Sequence, residues 1–382
     1  MSEFTTRKIT DRAGTGAPNF TYGVNISGSD SGLIGKAYTA SGTEPSSPAN
    51  GDTWYDSTND KYYLYVNGEF KQITHSNAVV NWYGARGLYA GGTSGSSNQI
   101  EYISINIGAN ASDFGDLTVA RGQFGAASNA SRAVWAGGYA YGLSDQSDVM
   151  DYVAFATTGN AADFGNLTAG THNSFHSVVG NGVYGFHVGG TRTVLSPYSA
   201  THINKIDRWT QDTAGNATDH GDLTQSRAYS GAACDGTNVV VAGGYIPSSP
   251  YRVNTIDTFS AGSASNATDF GDLTVGRQST GVGYDTTRAV YAGGWSASGA
   301  SNVIDYVTMA SAGNATDFGD ITTGEYAAGT TDATLCCFAT GTGLSANIHK
   351  ITIQTLGNAT DTGYDLLTSY SNGAGGTSGN AS

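Results

Sequence analysis

The chain of 382 residues has few charged side chains, few cysteines and no long apolar run. Charged residues make up 13% of it, about half the share of an average soluble protein. Acidic residues outnumber basic ones by 31 to 17, giving a net charge of −14. This balance argues against binding nucleic acid phosphates or an anionic lipid surface, because both need a basic face. No apolar segment approaches the roughly 20 residues of a membrane helix, and the first residues do not resemble a secretory signal.

The three cysteines, Cys234, Cys336 and Cys337, are too few and too badly spaced for a disulfide framework or a zinc site. They are expected to be small buried apolar side chains. The sequence therefore indicates synthesis in a reducing cytosol. Its richness in Gly, Ser, Thr, Asn and Tyr, in contrast, is typical of an extracellular surface.

Much of the sequence consists of repeated phrases. One phrase, Asn-Ala-Thr-Asp-Phe-Gly-Asp-Leu-Thr with small variations, recurs at a spacing of about 50 residues, starting at Asn110, Asn160, Asn216, Asn266, Asn314 and Asn358. Between its copies lies an apolar run that ends in two glycines, as in Val134-Trp-Ala-Gly-Gly138. A third phrase follows, as in Met150-Asp-Tyr, and its sixth copy is assigned to Ile351-Thr-Ile.

Each unit has the pattern of short strands, because apolar and polar residues alternate and clusters of Gly, Asn, Asp and Ser separate the segments. In the second unit we predict strand a at 122–129, strand b at 132–137, strand c at 149–156 and strand d around Phe164. Four strands in a unit of about 50 residues predict the blades of a β-propeller. The double glycine suits close approach of neighbouring blades.

Residues 79–382 resemble the kelch-repeat β-propellers. The resemblance rests on the apolar-Gly-Gly strand end, the Ile-Asp-Tyr strand and an arginine that opens the next unit (Arg121, Arg227 and Arg277). Thr171, Glu325 and Ser371 replace that arginine in the other units, and the usual strand-d tryptophan is missing. The resemblance implies an all-β fold with a six-bladed propeller of four-stranded blades. Residues 369–376 are expected to supply strand a of the first blade and so close the ring; residues 79–83 are the alternative.

The first 78 residues carry no repeat. Residues 1–40 are expected to form an extended segment, and residues 41–78 a small β-hairpin module that turns at Asn67-Gly68. Trp54, Tyr63, Tyr65 and Phe70 could form one apolar face of this module.

Both N-terminal segments resemble stretches of tailed-phage virion proteins, especially fibre and baseplate components. The resemblance implies a virion protein assembled in the host cytoplasm, whose residues 1–78 bind other tail or baseplate proteins and which forms homo-oligomers or stands alone. A particle released by lysis would reconcile a signal-free start with a surface-like composition. Two alternatives stay open: a free kelch-type adaptor for protein partners, and a propeller hydrolase that acts on polysaccharide.

The apparent catalytic and metal motifs have simpler interpretations. Asp-Phe-Gly occurs in the repeats and not as part of a kinase set, so it is interpreted as a turn in which Phe packs between blades. Repeated aspartates such as Asp113 and Asp116 lack the dense carboxylates of a calcium loop. His172, His176 and His187 could meet on adjacent strands and bind a transition metal. The simpler explanation is that they are polar residues of a blade whose repeat pattern has diverged. The sequence thus predicts no catalytic residue, no metal and no cofactor.

The loops between strands b and c vary most in length, and variable loops are where recognition usually takes place. Aromatic and charged residues in these loops suit a host-surface glycan or protein. The candidate binding residues are Tyr139, Tyr141, Asp145, Arg192, Tyr198, Tyr245, Tyr251, Arg252 and Trp295. The competing interpretation is that these side chains pack against the loops or against a virion neighbour.

Overall fold

A computed structural model describes most of the chain beyond residue 42. The described residues are 43–50, 52–56, 61–66, 68–73, 84–91, 97–106, 108–129, 131–140, 145–168, 173–174, 177–195, 198–322, 327–340, 347–367 and 375–379. The predicted attachment segment 1–40 and the alternative closing segment 79–83 lie outside them. The chain divides into two compact units, Met1–Asn77 and Ala78–Ser382.

In the first unit, three antiparallel strands form one small sheet: β1 (Thr53–Asp56), β2 (Lys61–Val66) and β3 (Glu69–Ile73). The tight link between β2 and β3 places Gly68 at φ 89°, a conformation that glycine adopts without strain. Trp54 stacks on Tyr63 with ring centroids 4.9 Å apart and meets the edge of Phe70 at 5.5 Å. Tyr65 meets Phe70 at 5.0 Å, so the four aromatic residues expected on one face are in contact.

The second unit is built of four-stranded antiparallel sheets, which we number 1 to 6 in chain order. Sheet 1 contains β4 (Arg86–Ala90), β5 (Gln99–Ser104) and β6 (Ser112–Asp116). Sheet 2 contains β7 (Gly125–Ser128), β8 (Arg132–Ala136), β11 (Val149–Ala154) and β12 (Ala162–Asn166), with the short β9 (Tyr139–Ala140) and β10 (Asp145–Gln146) between β8 and β11. Strands a to d were thus predicted to within a few residues.

The next two sheets follow the same plan. Sheet 3 contains β14 (Ser177–Gly180), β15 (Tyr184–Val188), β18 (Lys205–Thr210) and β19 (Thr218–Asp222). A smaller sheet beside it holds β13 (Asn173–Ser174), β16 (Thr191–Leu195) and β17 (Tyr198–His202). Sheet 4 contains β20 (Gly231–Cys234), β21 (Asn238–Ala242), β22 (Thr255–Ser260) and β23 (Thr268–Asp272).

The last strands complete sheets 5, 6 and 1. Sheet 5 contains β25 (Gly281–Tyr284), β26 (Arg288–Ala292), β29 (Val303–Thr308) and β30 (Thr316–Asp320), accompanied by β24 (Arg277–Gln278), β27 (Trp295–Ser296) and β28 (Gly299–Ala300). Sheet 6 contains β31 (Ala327–Thr331), β32 (Leu335–Thr340), β33 (Asn347–Thr352) and β34 (Thr360–Asp365). The final strand, β35 (Gly375–Gly379), pairs with β4 and becomes strand a of sheet 1.

Two registers differ from the sequence-based assignment. Residues 369–376 were expected to supply strand a of the first blade, whereas the strand that pairs with β4 is β35, which begins at Gly375. This start lies four residues after Ser371, and β7 likewise begins four residues after Arg121. In β33 the burial pattern matches the other c strands when Ile348 and His349 occupy the Ile-Asp positions. The assignment to Ile351 was therefore wrong, because both isoleucines are buried and only the pairing separates them.

The hydrophobic core lies between neighbouring sheets rather than within any one of them. Phe114 of sheet 1, for example, belongs to one cluster with Trp135 and Phe155 of sheet 2. Equivalent clusters join sheets 2 and 3, 3 and 4, 4 and 5, and 5 and 6. A further cluster joins sheet 6 to sheet 1 through Cys337, Ile348, Tyr89 and Ile103. The three cysteines are buried in these clusters, and none of them forms a disulfide.

The repeated phrase Asn-Ala-Thr-Asp-Phe-Gly-Asp-Leu-Thr forms contacts between neighbouring sheets. Its central residues form a strand, β6 for example, which agrees with the predicted strand d around Phe164 and not with the interpretation of Asp-Phe-Gly as a turn. In the first five copies the glycine of the phrase takes a φ near 150°, whereas Gly363 of the sixth copy has a φ of 69°. A Cβ on Gly115 would lie 2.3 Å from the carbonyl oxygen of Gly159 in the next unit. The phrase Asn then accepts a hydrogen bond from the backbone of the preceding unit, as Asn160 does from Asp116 N–H at 3.1 Å. The turn interpretation failed because these partners lie in another repeat.

The described residues include no helix, and hence none long and apolar enough to cross a membrane.

Candidate functional site

Antiparallel pairing places two kinds of connection at the same end of every sheet. The loop from strand b to strand c leaves the sheet where strand a begins. The segment that leads into strand a therefore lies beside that loop. Isolated bridges join the two, Ala228 to Tyr245 in sheet 4 and Gly122 to Tyr139 in sheet 2. We call this end of the second unit the loop face.

A buried ion pair anchors the loop face in three sheets. Arg277 Nη1 lies 2.8 Å from Asp305 Oδ2, with both side chains fully buried. Asp305 also accepts a 2.6 Å hydrogen bond from the hydroxyl of Thr274, which ends the repeated phrase of the preceding sheet. Arg227 pairs with Asp257 and Arg121 with Asp151 in the same way. One carboxylate thus ties together two neighbouring sheets and the segment between them.

Burial gives the anchoring arginines an unusual environment. Desolvation lowers the pKa of Arg277, while the adjacent Asp305 carboxylate opposes the shift. Arg277 also donates through Nη2 to the carbonyl oxygen of Tyr291 at 3.0 Å. The carbonyl of Arg277 itself lies so close to Gly243 (φ 65°) that a Cβ there would be 2.4 Å away. The double glycine therefore makes room for the arginine segment of the next unit.

Three segments that follow the arginines share a strained backbone. Gln123, Tyr229 and Ser279 occupy equivalent positions and have φ of 63°, 60° and 58°. Such a conformation is uncommon for residues other than glycine, and it often marks functional sites. Two of these segments are joined, since Ser279 N–H donates to the carbonyl oxygen of Tyr229 at 2.8 Å.

An aromatic cluster surrounds Tyr245 on the loop face. Tyr251 stacks on Tyr245 with centroids 6.2 Å apart and ring planes 20° apart. Tyr229 meets Tyr245 edge-on at 6.4 Å, and His202 of the preceding sheet approaches to 5.5 Å. The guanidinium of Arg252 lies 6.0 Å from the Tyr245 ring centroid. Tyr251 is 47% exposed, so one face of the cluster is open to solvent.

The structure brings together three of the nine predicted binding residues and places the others separately. Tyr245, Tyr251 and Arg252 belong to the aromatic cluster. Half-buried Tyr139 and Trp295 lie in the loop strands of sheets 2 and 5, and exposed Arg192 lies in β16. Tyr141 and the side chains of Asp145 and Tyr198 lie outside the described residues.

Sequence reasoning missed His202 and Tyr229. His202 ends β17 in the long loop hairpin of sheet 3, in which only Arg192 and Tyr198 were predicted to bind. Tyr229 is equivalent to a residue of the strand a predicted at 122–129 in the second unit, although β20 begins only at Gly231. Tyr229 follows Arg227 by two residues, as Gln123 follows Arg121 and Ser279 follows Arg277. This constant spacing from the repeated arginine was the signal that could have placed Tyr229 at the loop face.

The metal candidates have a different setting. Among the described residues there is no group of three or more His, Cys, Asp or Glu side chains that could hold a metal ion. His172 and His176 lie outside that part of the chain. His187 is fully buried in β15, and desolvation lowers its pKa to about 4 even though the nearby Asp207 carboxylate opposes the shift.

Comparison with known proteins gives no assignment: no family model matches the chain, and no curated protein sequence matches it.

Proposed function

We propose that sheets 1 to 6 are the blades of a closed, kelch-like β-propeller. Three features support this proposal. The strands a of consecutive sheets contact one another in the order β7, β14, β20, β25, β31, β35 and back to β7. The apolar clusters follow the same order and include one between sheet 6 and sheet 1. Asn110 of sheet 1 also accepts a hydrogen bond from Asp365 of sheet 6, which repeats the joint found between the other sheets.

We further propose that the protein is a structural component of a tailed-phage virion, in the tail or fibre, that displays the propeller to a host surface. The N-terminal resemblance to fibre and baseplate components supports the attachment role of residues 1–78. The display role is supported by the solvent-exposed aromatic cluster on the loop face, which carries the proposal. Tyrosine beside arginine is the composition that dominates binding hot spots.

The proposal is tested on purified virions of the phage whose genome encodes the chain. Cryo-electron microscopy is expected to find the second unit on the outside of the tail, with residues 1–78 against neighbouring proteins and the loop face directed away from the particle. Absence of the chain from the particle would refute the virion role and favour the free kelch-type adaptor. A chain that is present with its loop face buried against another virion protein would be a spacer, which would refute the adhesion role.

A further inference from the structure

The loop face of sheets 4 and 5 carries polar atoms that have no partner within the described part of the chain. They include Gln278 Oε1, Ser279 Oγ and Thr280 Oγ1. Gln278 and Thr280 are each only 8% exposed. A buried oxygen without a hydrogen bond costs free energy, and such groups in native proteins are normally matched by water or a ligand.

These polar groups adjoin the aromatic cluster. Ser279 is hydrogen-bonded through its backbone to Tyr229, which contacts Tyr245. Gln278 lies directly across the β24–β27 pair from half-buried Trp295. The loop that carries the cluster also contacts the segment that leads from sheet 4 to β24, because a Cβ on Gly276 would lie 2.8 Å from the carbonyl oxygen of Arg252. Aromatic rings and unpaired oxygens therefore lie within one continuous region.

Charge is sparse in this region. Arg252 is the cation of the cluster, and its Nε has no hydrogen-bond partner among the described residues. Burial lowers the pKa of His202, so that its ring is neutral near pH 7. The Arg277 charge beneath the region is already matched by Asp305.

We infer that the aromatic cluster and the unpaired Gln278 and Ser279 oxygens form one binding site for a neutral, hydroxyl-rich glycan. The flat apolar face of a sugar ring would stack on the exposed face of Tyr251 or Trp295. Gln278 Oε1, Ser279 Oγ and Arg252 Nε are enclosed in the structure, so these side chains would turn outward when the glycan binds. Sugar hydroxyls would then donate to the two oxygens and accept from Arg252 Nε. This inference rests on the proposed adhesion role of the loop face and specifies its ligand.

The test uses the purified full-length chain on an array of neutral oligosaccharides built from glucose, galactose, mannose and N-acetylglucosamine, with sialylated glycans alongside. The dissociation constant for the best neutral glycan is then measured by isothermal titration calorimetry. We expect Tyr251→Ala to weaken binding at least about tenfold, as loss of an aromatic hot-spot residue does. Ser279→Ala removes only a hydroxyl without a partner in the described structure, and it should weaken binding roughly threefold or more without lowering stability.

Tyr364→Ala is the matched control, because Tyr364 is exposed to a similar degree (37%) but lies in β34 of sheet 6, outside the aromatic cluster and outside sheets 4 and 5. It should bind the glycan like the unaltered protein. Failure to bind any neutral glycan, a preference for sialylated glycans, or binding that survives both loop-face substitutions would overturn the inference. These results can be distinguished from failure of the virion proposal. If the chain is found on the particle but binds no neutral glycan, only the glycan site is refuted. If the chain binds a neutral glycan but is absent from virions, only the virion location is refuted.

Discussion

The side chain of Asn110 accepts a hydrogen bond of 3.2 Å from the backbone N–H of Asp365, a residue 255 positions further along the chain. The same contact, between the phrase Asn of one unit and the strand-d backbone of the unit before it, recurs between all other neighbouring sheets. The joint between the last sheet and the first is therefore built from the same residues as the joints between consecutive sheets.

Deletion of residues 375–382 should destabilise the second unit strongly. β35 pairs with β4 along five residues and contacts β31 and β7 on either side. Its removal would expose an unpaired strand edge and open the core between sheets 6 and 1. We expect insoluble protein, or a melting temperature lower by roughly 10 °C in differential scanning calorimetry. Deletion of residues 380–382 leaves β35 intact and is the control. Equal melting temperatures for both deletions would show that the strand does not complete the sheet.

The buried pair of Arg277 and Asp305 should be strongly coupled. Arg277→Met leaves a buried carboxylate without its cation, and Asp305→Asn leaves a buried cation without its anion, so each change should cost about 3 kcal/mol. The double variant should cost clearly less than the sum, because neither charge is then left alone. Chemical denaturation of the four proteins measures these free energies of unfolding.

Lys205→Met is the matched control for this cycle. Lys205 lies 3.9 Å from Asp219, whose side chain is 67% exposed, so this ion pair should contribute less than about 1 kcal/mol. Strict additivity of the two buried substitutions would contradict the role assigned to the Arg277–Asp305 pair.

Much of the fold could be predicted from the sequence because the repeats average out local ambiguity. Six copies of one pattern fix where strands b, c and d begin, and the continuous apolar run of Val134, Trp135 and their equivalents indicates a strand that is buried on both faces. The positions that failed are those where a contact with another unit decides the outcome. The bulged strand around Gly115 depends on Gly159 of the next unit, and the choice between Ile348 and Ile351 depends on pairing with β32.

The candidate site was less predictable for a related reason. Loop sequences identified Tyr245, Tyr251 and Arg252 because aromatic and charged residues stand out between strands. They could not indicate that His202, from another sheet, and Tyr229, from the segment before strand a, would contact the same ring. Those neighbours follow from the side-by-side packing of sheets 3 and 4.

Acid should destabilise the protein partly through His187. Its pKa is about 6.5 when unfolded and about 4 when folded, because burial disfavours the charged ring. The unfolded chain therefore binds the extra proton between these values, and the stability contribution, complete above pH 6.5, falls as the pH decreases towards 4. The loss should reach about 3 kcal/mol.

The measurement is the free energy of unfolding from pH 4 to 7.5, compared between the original chain and His187→Gln. The variant should show a shallower decline below pH 6.5, while His202, His220 and His349, whose pKa values burial also lowers, contribute equally to both. Parallel curves would show that His187 does not titrate in this range.

A cleft of about 240 Å³ lies between sheets 6 and 1, lined by Ile103, Ile105, Ile348 and Thr362 among others. Its cause is visible in the register. Asp361 pairs with His349 as Asp113 pairs with Glu101, so Thr362 occupies the position that Phe114 and Phe318 fill elsewhere. The sixth copy of the phrase thus lacks the ring that packs between sheets.

Thr362→Phe should stabilise the protein by filling this cleft. Burial of a phenyl ring gains about 2 kcal/mol, and loss of the hydrogen bond from the Thr362 hydroxyl to the Ile348 carbonyl, 2.8 Å long, costs about 1 kcal/mol. The net gain of about 1 kcal/mol should raise the melting temperature by roughly 2 °C. The reverse change in the neighbouring sheet, Phe318→Thr, should cost about 3 kcal/mol, because Phe318 is 3% exposed and its removal leaves a cavity. Differential scanning calorimetry measures the melting temperatures of both variants. A lower melting temperature for Thr362→Phe, with the expected loss for Phe318→Thr, would contradict the prediction. It would show that the two positions are not equivalent and that a phenyl ring does not fit the cleft between sheets 6 and 1.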